Sequence, residues 1–160
     1  MIFHDLFNQR IKNVEFNWED VLSFEGTTGP YVQYTYARAK SILRKSGVTG
    51  GMYGMQCGKD LEKMDAINYK HLTDEASYTL VKTLSGYEAA VLAAAERYEP
   101  SVVARYIISV ASAFNKFYHE CPILNADEEE KRARLALVDA VQNVLKNACS
   151  LLGMECPEEM

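Results

Sequence analysis

The segment Asp127–Gly153, DEEEKRARLALVDAVQNVLKNACSLLG, decides the fold class. Leu135, Leu137, Val138, Val141, Val144, Leu145, Ala148, Leu151 and Leu152 recur at three- and four-residue spacing, the pattern of a helix that buries one face. Asp127 followed by Glu130 reads as a capping box. The carboxylates at 127–130 also suit a helix N-terminus, where unpaired backbone N–H groups leave partial positive charge. Gly153 fits the left-handed position beyond the last turn, and Pro157 cannot prolong the helix.

The same spacing extends towards the N-terminus. A helix is expected from Pro100 to about Tyr118, with Val103, Tyr106, Ile107, Val110, Phe114 and Phe117 as its stripe. Another spans about Asp74 to Tyr98, and Gly86 in its middle is placed to split it in two. A further helix begins at Pro30 and runs through Ile42 and Leu43 to Gly47. A short one is expected from Asn17 to about Phe24, with Asn17 as N-cap and Asp20 three residues on. Val14-Glu15-Phe16 could be extended, but no second segment of similar quality offers itself as a partner strand. The expected fold is therefore all-α, helical nearly throughout, with the first 16 residues able to hold a strand or extended segment. Five of the nine glycines fall between Gly47 and Gly58, so 47–74 reads as a mobile connection.

Composition narrows the function classes. With 160 residues, 48% hydrophobic and 24% charged, the chain is an ordinary globular domain and not a disordered one. No apolar run is long enough for a transmembrane helix, and Met1-Ile2-Phe3-His4-Asp5 lacks the basic-then-apolar order of a signal peptide. Cys57, Cys121, Cys149 and Cys156 form no CxxC pair, so reduced thiols and a cytoplasmic setting are expected. The net charge of -5 argues against a protein that coats nucleic acid indiscriminately, though not against a local basic patch.

Searches for catalytic constellations return little. Gly58-Lys59 lacks the spacing and the hydroxyl of a phosphate loop, and Ser85-Gly86 lacks the glycines of a nucleophile elbow. His4, His71 and His119 lie far apart, and His119 near Cys121 has no further ligand at metal-site spacing, so no metal site is assigned. One helix does combine two useful chemistries. Tyr31, Tyr34 and Arg38 share a face at i, i+3 and i+7, and Arg38, Lys40, Arg44 and Lys45 add four cations within eight residues with no acid among them. Rings that stack on bases beside cations that track phosphates would bind unpaired nucleotides. Core tyrosines beside a solvated basic face would show the same periodicity, and the spacing alone leaves both readings open.

Phe24-Glu25-Gly26-Thr27-Thr28-Gly29-Pro30-Tyr31-Val32-Gln33-Tyr34-Thr35-Tyr36-Ala37-Arg38 resembles the Glu-Gly-x-Thr-Gly-Pro-Tyr-x-Gln-Tyr segment of arginyl-tRNA synthetases. Ala113-Phe114-Asn115-Lys116-Phe117-Tyr118 looks like the aromatic helix of the same family. Ala133-Arg134-Leu135-Ala136-Leu137, Val144-Leu145-Lys146-Asn147, Leu151-Leu152-Gly153 and Pro157-Glu158-Glu159-Met160 are similar to its last helix and ending. These matches run in family order and span the chain apart from 47–74.

The resemblance implies an anticodon-binding helical bundle whose partner is the anticodon stem-loop of tRNA-Arg. It places Tyr31, Tyr34, Arg38, Arg44 and Lys45 on the RNA-facing surface, with Tyr118 and Met160 near the anticodon bases. Some relatives have a Trp after the aromatic helix, where this chain reads His119-Glu120-Cys121-Pro122. The family's catalytic domain binds ATP with magnesium and attaches arginine to tRNA. Its His-Ile-Gly-His and Lys-Met-Ser-Lys signatures have no counterpart here, and Lys63-Met64-Asp65 is no substitute. The expectation is thus a piece of a class I ligase, inactive alone, with no cofactor of its own and its catalytic domain as a second partner. By the same resemblance, residues 1–20 would be an extended segment linking the two, and residues 21–160 the all-α anticodon-binding helical bundle. Neither DNA nor a membrane is expected as a partner. The rival reading is a helical protein-interaction module presenting an exposed Tyr/Arg face.

Overall fold

The computed structural model describes residues 2–8, 17–24, 26–46 and 67–160. Among them are helices α1 (Ile2–Phe7), α2 (Trp18–Leu22), α3 (Gly29–Lys45), α4 (Glu75–Ser85), α5 (Tyr87–Arg97), α6 (Ser101–Glu120) and α7 (Glu128–Leu151). A 3-10 turn covers Tyr69–His71, and the described residues include no strand. The sequence-predicted helices are all present, and Gly86 divides α4 from α5 where expected. Val14-Glu15-Phe16 and residues 47–66 lie outside the described residues.

Helix α6 is the central post. Val103, Ala104, Ile107, Val110, Ala111, Phe114 and Phe117 are buried on it, and α1, α3, α4, α5 and α7 all pack against it. Helix α7 lies along both α3 and α6, covering Val138, Val141, Leu145 and Ala148. Burying a large aliphatic or aromatic side chain contributes about 1.5–3 kcal/mol, more than a helix cap supplies. That balance explains a departure at the start of α7. Asp127 makes no side-chain cap hydrogen bond, so the expected capping box does not form. Glu130 instead turns forward to Arg134 Nη2, 2.8 Å away, and Glu128 pairs with Arg132 at 3.3 Å. Packing of the long apolar face holds the helix without the box.

Residues 2–7, expected to be extended, are helical, while 9–16 lie outside the described residues. Residues Ile2–Phe7 form a helix because Phe3, Leu6 and Phe7 fall on one helical face. Phe3 is buried in the main core, and its ring lies 5.8 Å from that of Phe7. A Cβ on Gly29 would stand 3.2 Å from the Phe3 Cβ, so glycine at the start of α3 lets α1 approach. Asn17 caps α2 as expected, its side chain accepting from the Glu19 N–H. Thr28 caps α3 through the Tyr31 N–H, and Gly153 ends α7 with a φ of +67°.

One polar cluster ties the helix ends together. Arg134, only 6% exposed, donates to the Pro122 carbonyl at 2.6 Å and lies 3.6 Å from Asp74 Oδ2. Asp74 caps α4 by accepting from the Ser77 N–H at 2.7 Å and from the Ser77 hydroxyl at 2.9 Å. The Cys121 thiol, at the end of α6, donates to the same carboxylate at 3.0 Å. Burial pushes the Asp74 carboxyl upward, but the hydrogen bonds from Cys121 and Ser77 outweigh it and leave the carboxyl below its ordinary 3.8. Asp74→Ala should lower unfolding free energy by about 1–2 kcal/mol for the missing cap alone, measured by urea titration. The depressed carboxyl stabilises the fold above its ordinary value, and that contribution fades as pH falls through the native value. The stability of wild type relative to Asp74→Asn should therefore shrink as the urea titrations are moved from neutral pH into the acid range. A difference that stays constant, or grows, on acidification would contradict this role for the ionised carboxylate.

Candidate functional site

The faces of α3 and α6 that are not sealed by α7 meet beside the segment after α7, and the candidate residues converge there. A cavity of about 580 Å³ is lined by Tyr34, Arg38, Arg44, Lys45, Tyr118 and Met160, six of the seven residues singled out from sequence. Arg44 and Lys45 are exposed at the last turn of α3. The cavity floor is the corner Cys121–Asn125 that Arg134 holds through Pro122.

At the cavity edge, the Arg38 guanidinium lies 4.6 Å from the centroid of the Tyr34 ring and 5.1 Å from that of Tyr118. Both rings keep an open side, at 38% and 40% exposure. The guanidinium is fixed by hydrogen bonds as well as by the rings. Its Nη1 donates to Asn115 Oδ1 at 2.7 Å, and its Nη2 donates to the Tyr34 hydroxyl at 3.0 Å. Behind the surface, Phe114 stacks on Tyr118 at 6.5 Å, and Phe24 meets Tyr34 edge-on at 6.3 Å. The rings and cation are therefore set in place before any ligand arrives, which limits the ordering cost of binding.

Tyr31 occupies a different place. It is half-buried, absent from the cavity lining, and its hydroxyl accepts from Asn115 Nδ2 at 2.9 Å. The same amide nitrogen donates to Thr35 Oγ1 at 3.2 Å. Asn115 thus joins Tyr31 and Thr35 on one side to Arg38 on the other, and sequence reasoning missed it. Its only signal was position: Asn115 follows Phe114 on the aromatic helix at a place that carries neither charge nor ring.

The basic run divides into unlike roles. Arg38 is committed to the rings and Asn115, Lys40 pairs with Glu158 at 3.3 Å, and Arg44 is ion-paired with Glu159. No ion pair involving Lys45 occurs among the described residues. The 38–45 run is therefore not one uniform basic face: two of its four cations are already paired with glutamates. The Cys121 thiol is pushed up to about 12 by burial and by donating to Asp74, which makes it a poor nucleophile. Among the described residues, no group of three or more His, Cys, Asp or Glu is placed to hold a metal ion. No described helix is long and apolar enough to cross a membrane.

Residues 32–160 match the family model described as the DALR anticodon binding domain. Over all 160 residues the chain is 46% identical to the arginine–tRNA ligase of Alkaliphilus metalliredigens, covering 26% of that protein. It is 49% identical over 161 residues to the Clostridium acetobutylicum arginine–tRNA ligase, again covering 26% of it. The chain thus spans about a quarter of the length of the curated relatives it matches. Among solved structures, Thermus thermophilus arginyl-tRNA synthetase superposes with a TM-score of 0.78 at 36% identity, over 99% of this chain and 26% of that one. The Plasmodium falciparum arginyl-tRNA synthetase superposes with a TM-score of 0.81 at 24% identity, over 99% of this chain and 26% of that one, a likeness of fold.

Replacing Asn115 with Leu should cost about 1–3 kcal/mol in urea denaturation, because three polar groups are deprived of a partner at once. Asn115→Asp should cost less, since the carboxylate still accepts from Arg38. Equal stability of Asn115→Leu and wild type would remove Asn115 from its joining role.

Proposed function

We propose that this chain, which belongs to the DALR anticodon binding domain family, grips the anticodon arm of tRNA-Arg as part of an arginine–tRNA ligase. The observation that carries the reading is the Arg38 guanidinium set against the Tyr34 and Tyr118 rings at the edge of an open cavity. Unpaired bases offer flat faces to such a surface, and each base stacked on an aromatic ring is worth about 1–3 kcal/mol. A guanidinium held in plane can also stack on a base while its remaining N–H groups donate to base edges. Met160, 57% exposed on the cavity wall, supplies a soft apolar contact for a base. Lys45 and Arg44 stand at the rim where the RNA backbone would pass.

Tyr31 serves from behind, through Asn115, by fixing the orientation of Arg38. This chain contributes binding and orientation to the ligase. The bond to arginine is made by the catalytic domain, where ATP and magnesium would act, in the cytoplasm. Holding the tRNA at a distant point lowers the barrier to that reaction by presenting the acceptor end in register, so binding energy far from the chemistry is used for positioning. The isolated chain is then expected to bind tRNA without forming aminoacyl-tRNA.

The test is a filter-binding titration of the 160-residue chain with a tRNA-Arg anticodon stem-loop. Tyr34→Ala and Tyr118→Ala should each weaken binding by about tenfold to a hundredfold, in line with the removal of one stacked base. Arg44→Ala with Lys45→Ala should weaken it less and flatten the salt dependence, by about 0.7 in logarithmic slope for each phosphate that is no longer neutralised. If both tyrosine variants bind the stem-loop as wild type does, the anticodon reading fails.

A further inference from the structure

Two of the three acids that follow α7, Glu158 and Glu159, are paired with cations of the α3 basic face. Glu158 Oε1 lies 3.3 Å from Lys40 Nζ, and Glu159 is ion-paired with Arg44. Lys40 and Arg44 are one turn apart on α3, so consecutive glutamates span consecutive rungs of the same basic face. Both acids line the cavity beside Arg38, Lys45 and Met160.

This placement follows from how the segment is tethered. The Gly153 turn ends α7, with the Met154 N–H donating to the Cys149 carbonyl at 2.9 Å. Gln33 Nε2 on α3 then donates to the Glu155 carbonyl at 2.8 Å. Cys149 and Cys156 lie beside each other, and their interaction raises the first thiol and lowers the second. The backbone is thus fastened to α3 and α7 just before Pro157, and the glutamates are delivered to the cations.

We propose that Glu158 and Glu159 are specificity-determining residues of the RNA site, acting by holding Lys40 and Arg44 neutralised until a ligand also fills the cavity. The inference rests on the anticodon reading above. Non-specific binding draws almost wholly on cations meeting phosphates, with release of counterions. Acids paired with those cations weaken that mode directly. RNA that places bases against Tyr34, Arg38 and Tyr118 gains stacking energy that the acids do not touch. The pair therefore subtracts more from indiscriminate binding than from anticodon binding, and discrimination rises although nothing new touches the cognate RNA. Exposed ion pairs are weak individually, so two together set the scale of the effect at about tenfold.

The experiment compares wild type with E158Q/E159Q in titrations against a blunt RNA duplex, whose bases are paired and cannot stack on the rings, and against the tRNA-Arg anticodon stem-loop, each across a salt series. Glutamine keeps the length and the backbone tethers while removing both charges. Duplex affinity should rise about tenfold at low salt, with a salt dependence steeper by up to about 1.8 in logarithmic slope for two freed cations. Stem-loop affinity should rise by clearly less than that factor. Adding Lys40→Gln to the double variant should remove part of the duplex gain. A duplex affinity that is unchanged or weaker, or equal gains for both RNAs, would overturn the inference. Wild type that binds the stem-loop no better than the duplex would instead bring down the anticodon reading itself.

Discussion

A buried guanidinium must find partners, and this bundle is arranged around one whose two terminal nitrogens do, while its Nε is left without one among the described residues. Arg134 lies deep in α7, and a cation there is tolerated only where carboxylates and carbonyls converge on it. They come from separate parts of the chain: Asp74 at the start of α4, Pro122 beyond α6, and Glu130 one turn earlier in α7. Three helix ends are thereby brought to one point. Removing any partner would leave the charge poorly compensated, so the interaction acts as a condition on the whole assembly more than as a source of net stability. Its consequence for the surface is direct. The corner after α6 is the floor of the cavity, and its backbone carbonyl at Pro122 is one of the groups that Arg134 holds.

The second polar cluster, around Asn115, does for the surface what Arg134 does for the interior. It fixes a guanidinium and two rings that would otherwise sample many rotamers. Long side chains give up as much as about 2 kcal/mol of rotamer freedom when ordered, and here Arg38 is ordered before a ligand arrives. Helix α3 supplies Tyr34 and the cations, while α6 supplies Asn115, Tyr118 and the apolar support of Phe114. The site therefore depends on the α3–α6 packing, which in turn depends on Val32, Tyr36, Ile107, Val110 and Phe114 in one shared core.

Helices were legible because their apolar spacing is long and regular, as in α6 and α7, where burial follows the stripe closely. Short local signals fared less evenly. Asn17 and Gly153 act as expected because a cap or a left-handed turn is decided by neighbouring backbone alone. Asp127 does not, because Glu130 has a buried Arg134 to satisfy, and no local pattern reveals that demand. Residues 2–7 read as linker although Phe3, Leu6 and Phe7 carry a helical face; a single turn of apolar residues means little until Gly29 opens room for it. At the candidate site, rings and cations could be named from composition and resemblance. Their division of labour could not. Which cation is stacked, which is paired with a glutamate and which has no ion pair among the described residues depends on partners remote in sequence, such as Arg38 with Asn115 and Gln33 with Glu155.

The central claim is that unpaired bases stack on the open faces of Tyr34 and Tyr118 beside Arg38. Fluorescence of 2-aminopurine placed in the anticodon loop tests it most directly, since that base is quenched when it stacks on an aromatic ring. On saturation with the chain, quenching is expected for the loop probe in wild type. Its disappearance is expected in Tyr34→Leu/Tyr118→Leu, while a probe in the stem stays unchanged throughout. A loop probe that remains as bright in the saturated wild-type complex as in free RNA, or that brightens, would contradict the account.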